Sequence, residues 1–118
     1  MTREHLRRAH RIRSSAVFRE VLGKGTAYGG EHLVLFCLKG EGGPSTVGFT
    51  TTRRVPNAVV RNRAKRLMRE AYRRLKYGIE GEGLRLVFLA RGDARSMTFD
   101  RVQVEMVELF TRAGLWCG

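Results

Sequence analysis

Apolar positions along this chain change from helical spacing to strand spacing. Residues 14–25 place apolar side chains three and four positions apart after two serines, which predicts a capped helix ending near Gly23. Residues 31–40 form a continuous apolar run of β-favouring residues, and residues 45–54 carry a second, shorter run. The turn-forming residues 41–44 between the two runs predict a β-hairpin.

The second half of the chain predicts two helices around one strand. A long basic helix begins after Pro56, and residues 84–92 form a further apolar strand. Thr98 can cap a final helix, which Gly114 ends. Its apolar face combines Phe99, Val102, Met106, Leu109, Phe110 and Ala113. The predicted fold class is α+β, a single-domain sandwich over residues 1–118 with the order α-β-β-(β)-α-β-α, the bracketed strand being optional.

The segment from Val59 to Lys76 predicts an amphipathic helix with one cationic face. At about 100° per residue, the apolar stripe contains Val60, Ala64, Leu67, Met68, Ala71 and Leu75. The opposite side contains Asn62, Lys65, Arg66, Arg69, Arg73 and Lys76. Like charges three or four positions apart repel by a few tenths of a kcal/mol per pair, so helix stability alone does not select this face. A solvated charged face is the plain alternative, but such faces normally mix both signs, and Glu70 is the one acid here.

The composition of the whole chain shows the same bias toward positive charge. The 118 residues include 23 lysines and arginines against 11 acids, a formal net charge of +12. The hydrophobic fraction of 42% is that of an ordinary folded domain. A basic folded domain predicts a polyanionic partner. Arginine predominates, and its planar guanidinium holds phosphate oxygens in pairs and stacks on bases, which favours nucleic acid.

The apolar segments exclude a membrane partner and predict a cytoplasmic protein. The apolar face of the basic helix is needed to cover the sheet, so it is not free to enter lipid. The basic N-terminal stretch is followed by no apolar segment of signal-peptide length, and no segment is long enough to span a bilayer.

Residues capable of catalysis or metal binding are sparse. Cys37 and Cys117 show no zinc-site spacing, which predicts two reduced, unrelated thiols. The acids are scattered singly, whereas a two-metal nuclease needs clustered carboxylates. We expect His5, His10 and His32 at the surface or facing RNA rather than as a catalytic pair. The sequence therefore predicts no catalytic residue and no metal ligand on the protein.

The stretch NAVVRNRAKRLMREAYR, residues 57–73, resembles the protein subunit of bacterial ribonuclease P. The signature of that family is an arginine-asparagine-arginine core followed by spaced lysine and arginine. This sequence carries it as Arg61, Asn62, Arg63, Lys65, Arg66 and Arg69. Residues 46–60 resemble the strand and basic turn before that helix, and residues 10–25 resemble the family's N-terminal helix. The resemblance covers nearly the entire chain in the expected order.

The resemblance implies the protein subunit of an endoribonuclease whose chemistry is performed by RNA. Such proteins bind the ribonuclease P RNA and promote removal of the 5′ leader from precursor tRNA, with Mg²⁺ bound mainly by the RNA and no protein partner required. The six signature residues would dock on the catalytic RNA. A cleft between the N-terminal helix and the sheet would hold the leader, with Phe18 and Phe36 as its aromatic floor and Arg53 and Arg54 on its rim.

The resemblance also implies a left-handed β-α-β crossover through the basic helix, in a ribosomal protein S5 domain 2-like fold, against the general right-handed rule. Leu22 and Leu33 stand where the family often has further aromatic residues of the leader cleft. From the residues alone, Phe18 and Phe36 could instead be ordinary core side chains. The alternative function is a general RNA-binding or ribosome-associated basic protein.

Overall fold

The computed structural model describes residues 11–12, 14–40, 42–53, 55 and 57–117, and its α+β architecture confirms the predicted class. The helices are α1 (Ser15–Lys24), α2 (Ala58–Leu75) and α3 (Phe99–Arg112). The strands are β1 (Thr26–Gly29), β2 (Leu33–Lys39), β3 (Thr46–Thr51) and β4 (Leu84–Ala90). Short 3-10 turns cover Lys76–Gly78 and Ala94–Ser96. The order is α-β-β-β-α-β-α, which matches the predicted order with the optional strand included. The strand that the sequence pattern did not locate is β1, which precedes the two predicted runs.

The strands form one mixed sheet in the order β1-β2-β4-β3. β2 is antiparallel to both β1 and β4, whereas β3 is parallel to β4. The predicted hairpin between β2 and β3 is therefore wrong, because β4 lies between them. β4 is apolar and buried along most of its length, so the centre of the sheet suits it better than the edge. Parallel neighbouring strands need a crossover connection, and α2 provides it between β3 and β4. The left-handedness of this crossover stays a prediction.

Each helix begins at a side chain that accepts a backbone hydrogen bond. Ser14, Asn57 and Thr98 each accept from the N–H three residues further along the chain. α1 continues past Gly23 to Lys24. Gly25 caps this end of the helix by donating its N–H to the carbonyl oxygen of Val21. These short-range signals explain why the predicted helices agree with the observed ones to within a few residues.

The main core lies between one face of the sheet and the helices α2 and α3. Alternation along the strands turns toward it Leu33, Leu35, Val47, Leu84, Leu86, Phe88 and Ala90. α2 and α3 contribute Ala64, Met68, Ala71, Tyr72, Val102, Met106, Leu109 and Phe110. The Phe88 ring lies near the centre, 5.6 Å from Phe110 and 6.0 Å from Phe49 between ring centroids. The opposite sheet face is covered by α1, on which Val21 is fully buried.

Tyr72 lies outside the predicted apolar stripe of α2, yet its residue surface is only 5% exposed. Its ring packs edge-on against Phe49 and Phe88, at centroid distances of 6.0 and 6.3 Å. The apolar body of a tyrosine widens the buried face beyond the aliphatic positions. This burial raises the pKa of Tyr72 to about 12.

Through ionisation of the Tyr72 hydroxyl, we expect the free energy of unfolding to fall by about 2 kcal/mol between pH 10 and pH 12. A raised pKa means that the folded state favours the neutral phenol. The stabilisation is therefore complete below the unfolded pKa near 10 and is lost as the pH rises through about 12. Urea unfolding of the chain and of Tyr72→Phe across this range isolates the effect from other titrations. Parallel pH profiles for the two proteins would contradict it.

In the part of the chain that the structure describes, no helix combines the length and apolarity needed to cross a membrane.

Candidate nucleic-acid interface

The cationic face of α2 points away from the sheet. Ala64, Met68 and Ala71 are buried on its inner side. On the outer side, Asn62 and Arg66 are exposed. The other signature residues are half-buried, namely Arg61, Arg63, Lys65 and Arg69. Half-burial of such long side chains leaves their charged heads within reach of a ligand.

Arg61 has a structural contact besides its place in the signature. Its Nη1 donates a hydrogen bond to the carbonyl oxygen of Val55 at 3.3 Å, and Val55 is fully buried. The Arg61 side chain therefore links α2 to the turn that leads into it. Substitution of Arg61 would disturb this turn as well as any contact with RNA.

Glu70, the one acid of the helix, pairs within the C-terminal half of α2. Its carboxylate forms an ion pair with Arg73 and lies 3.9 Å from Nε of Arg74. Arg74 also lies over the Phe99 ring, 4.9 Å from its centroid. Glu70 thus offsets the repulsion between like charges at Arg73. No ion pair to a described residue involves the cations from Arg61 to Arg69.

Arg11, which the sequence prediction did not assign, adds a cation to this face. The segment 11–12 runs beside the edge strand β3. Arg11 forms an isolated parallel β-bridge with Val47, and the Ile12 N–H donates to the Val47 carbonyl oxygen at 2.9 Å. The Nε of Arg69 is buried and has no hydrogen-bond partner among the described residues. Burial, followed by the charge of Arg11, lowers the pKa of the Arg69 guanidinium. A buried donor beside a second cation suits an anionic ligand.

Phe18 and Phe36 both lie on the sheet face that α1 covers. In the strand register, Phe36 of β2 and Gly48 of β3 flank Val87 of β4. A Cβ placed on Gly48 would overlap the Phe18 ring, so this glycine allows the ring to lie close to the β3 backbone. Both phenylalanines are half-buried, so each keeps surface that a ligand can contact.

The other residues expected near this cleft lie in different environments. Leu33 is fully buried in the main core, because an odd number of positions separates it from Phe36 and places it on the opposite face. Leu33 therefore cannot belong to the cleft, whereas Leu22 of α1 is half-buried. Arg53 is exposed just beyond the end of β3, and Arg54 lies outside the described residues.

A groove of about 340 Å³ opens at the N-terminal end of α1, on the same side of the sheet as Phe18. It is lined by Arg11, Ile12, Ser14, Val17, Thr46 and Arg85. Arg85 lies beside Thr46 in the strand register, and its Nη1 donates to Glu20 at 2.8 Å. The groove brings two guanidinium groups to one end of the α1 cleft.

His32 is buried, which contradicts its predicted place at the surface or facing RNA. Oε1 of Glu105 accepts hydrogen bonds from the His32 and Leu33 N–H groups at 2.6 and 2.8 Å. The His32 ring lies between Oε2 of Glu105 at 3.3 Å and Oγ of Ser96 at 3.1 Å. These contacts attach the start of β2 to α3 and give His32 a structural role. His5 and His10 lie outside the described residues.

Acids and thiols form no reactive cluster in the described part of the chain. No three histidine, cysteine or acidic side chains there come together as a candidate metal site. Both cysteines are free thiols. Burial, only partly offset by Lys39, raises the pKa of Cys37, and a hydrogen bond with Glu80 raises that of Cys117. Both shifts disfavour the reactive thiolate form.

Comparison with known proteins identifies the family. A sequence model of the family Ribonuclease P matches residues 6–114. The chain belongs to the ribonuclease P protein family. It is 39% identical over 111 residues to the ribonuclease P protein component of Symbiobacterium thermophilum, covering 93% of this chain and 96% of that protein. The component from Clostridium novyi is 35% identical over 113 residues, covering 94% and 99%.

The solved structures agree with this ribonuclease P family assignment. The ribonuclease P protein from Thermotoga maritima is 26% identical and superposes with a TM-score of 0.75, covering 86% of this chain and 96% of that one. The family resemblance inferred from the arginine-asparagine-arginine signature is thereby confirmed.

Proposed function

We propose that this chain is the protein subunit of ribonuclease P, which binds the catalytic RNA and promotes removal of the 5′ leader from precursor tRNA. The observation that carries the proposal is the cationic outer face of α2 in a chain that matches the family over residues 6–114. The RNA performs the phosphodiester hydrolysis, and the protein supplies binding and electrostatic stabilisation.

The cationic face of α2 is the proposed docking surface for the catalytic RNA. It comprises Arg61, Asn62, Arg63, Lys65, Arg66 and Arg69. The deep groove of A-form RNA hides the bases, so a rigid row of cations meets mainly backbone phosphates. If about six phosphates are neutralised, the logarithm of the binding constant falls with the logarithm of salt concentration with a slope of about −4 to −5.

The cleft between α1 and the sheet is the proposed site for the single-stranded leader. Phe18 and Phe36 would stack on bases, an interaction that tolerates any base and contributes about 1–3 kcal/mol per base. Arg53 and Arg54 would meet leader phosphates at the rim. Arg11, beside β3, lies between this cleft and the α2 face, so the two RNA-binding surfaces are connected around one edge of the sheet.

Mg²⁺ in this proposal is held mainly by the catalytic RNA. The described residues offer no carboxylate cluster for it. The protein's cations would offset the repulsion between the phosphates of the RNA and those of its substrate. Because Mg²⁺ performs the same neutralisation, the protein should matter most when Mg²⁺ is scarce.

Cleavage of a precursor tRNA at low Mg²⁺ tests the function. We expect rapid cleavage with the catalytic RNA and this protein together, slow cleavage with the RNA alone, and none with the protein alone. A second substrate, with its leader shortened to one nucleotide, should be stimulated much less, since it cannot occupy the cleft.

The outcomes separate the parts of the proposal. RNA binding without stimulation would leave a general RNA-binding protein. Cleavage by the protein alone would contradict the assignment of chemistry to the RNA. Equal stimulation of the long-leader and short-leader substrates would contradict the leader cleft and leave the docking face intact.

A further inference from the structure

Tyr77 presents an exposed aromatic ring just beyond the C-terminal end of α2. Its surface is 58% exposed, and it is the one aromatic residue among the large exposed apolar residues of the described chain. The other two are Val59, at the start of α2, and Val104, on α3. Among the described residues, the Tyr77 ring is therefore exposed without belonging to a broad apolar patch of the kind that binds protein.

Helical geometry places Tyr77 on the same side of α2 as the cationic face. Counting about 100–120° per residue through the helix and the 3-10 turn, Tyr77 falls within roughly a quarter-turn of Arg66 and Arg73. The axial distance from Arg66 to Tyr77 is about 16 Å at 1.5 Å per residue. An RNA lying along the cations of α2 would therefore reach the tyrosine ring.

A lysine lies directly beside the Tyr77 ring. Nζ of Lys76 is 5.2 Å from the centroid of the Tyr77 ring, within range of a cation–π contact. An aromatic ring combined with an adjacent lysine or arginine is the chemistry with which proteins bind unpaired nucleotides, since the ring stacks on the base and the cation meets the phosphate. The charge of the surroundings thus favours a nucleic acid as the occupant.

The C-terminal segment holds in place the turn that carries this ring. The Cys117 N–H donates to the carbonyl of Gly78 at 2.8 Å, and Trp116 forms a bridge with Ile79. The Trp116 ring in turn stacks on Phe110, a core residue, at a centroid distance of 6.1 Å. A turn attached to the core in this way needs little ordering when a ligand binds, which favours affinity.

We infer that Tyr77 is a stacking platform for an unpaired base of the catalytic RNA, at the opposite end of the α2 docking face from the arginine-asparagine-arginine core. The inference rests on the proposed function, because α2 must lie on that RNA. Bases in loops and bulges of folded RNA turn outward and stack on aromatic side chains, whereas paired segments present only their backbone and minor groove. The C-terminal segment positions the platform.

Tyr77→Ala should weaken binding of the catalytic RNA by roughly 5- to 100-fold. The salt dependence should keep its slope, because stacking releases no counterions. Tyr77→Phe keeps the ring and should bind within a few-fold of the unchanged chain. Val104→Ala removes an equally exposed apolar side chain, 56% exposed, from α3 and should have no effect. Filter binding across a salt series measures all four proteins.

A tryptophan at the platform reports stacking directly. Trp116 is the chain's one tryptophan, so Trp116→Phe combined with Tyr77→Trp places a single indole at position 77. We expect its fluorescence to be quenched by the catalytic RNA and not by a fully paired RNA duplex bound to the same protein. Tight binding by Tyr77→Ala, or an unquenched indole in the bound state, would overturn the inference.

Failure of the inference and failure of the proposed function give different results. If the protein stimulates precursor tRNA cleavage but Tyr77→Ala binds the catalytic RNA normally, only the stacking platform is wrong. If the protein fails to stimulate cleavage and binds the catalytic RNA no better than an unrelated RNA, the proposed function is wrong and the platform has lost its stated partner.

Discussion

Arg66→Ala combined with Arg69→Ala is expected to weaken binding of the catalytic RNA by roughly 10- to 100-fold at moderate salt. The two guanidinium groups lie one turn apart on the outer half of α2, and neither is paired with a described acid. Losing two phosphate contacts should make the salt slope shallower by about 1.5–2. Filter binding between low and moderate salt measures both quantities.

A matched control separates local contacts from net charge. Arg101 and Arg112 bind Glu31 and the carbonyl of Gly29, at the β1–β2 turn and away from the β3 edge. Arg101→Ala with Arg112→Ala lowers the formal charge by the same two units. We expect the slope of this variant to stay close to that of the unchanged chain. Equal losses in both double variants would show general attraction rather than a docking face.

Glu105→Ala is expected to lower the free energy of unfolding by about 3 kcal/mol or more. Truncation leaves two buried N–H groups, those of His32 and Leu33, without their acceptor, and it also removes the carboxylate beside the His32 ring. Urea unfolding at neutral pH measures the loss. Glu108→Ala, at an exposed position one turn further along α3, should change stability by at most about 0.5 kcal/mol.

The effect of Glu105 should be confined to stability. The Glu105 network joins the start of β2 to α3 and includes none of the signature residues, so the folded fraction of Glu105→Ala should bind RNA with normal affinity. Similar stabilities for the Glu105 and Glu108 variants would contradict the structural role of the network. A loss of RNA affinity in fully folded protein would show that the network acts on the interface.

Helices and charge were predictable because their signals are local. Capping residues lie within three positions of the N–H groups they bind, as at Ser14 and Thr98, and apolar spacing selects the buried face. The cationic row of α2 follows from the same spacing. The width of the buried face was less predictable, since Tyr72 packs against Phe49 of β3 and Phe88 of β4.

Strand pairing was only partly predictable because it joins distant segments. Two apolar runs separated by a short turn predict a hairpin. Burial instead favours β4, which follows α2 in the chain, at the position between β2 and β3. The edge position of β3 then leaves it beside residues 11–12 and brings Arg11 toward Arg69. The basic N-terminal stretch carried no spacing signal for this proximity.

The sequence by itself determined the α+β class, the three main helices, the cationic face of α2 and the ribonuclease P signature, because each depends on residues within a few turns of one another. Tertiary structure alone decided the strand order, the burial of His32 by an acid 73 positions away, and the anchoring of the turn beneath Tyr77 by the C-terminal segment. These features depend on which distant groups bury each other's polar and apolar surface, and local spacing does not encode that competition.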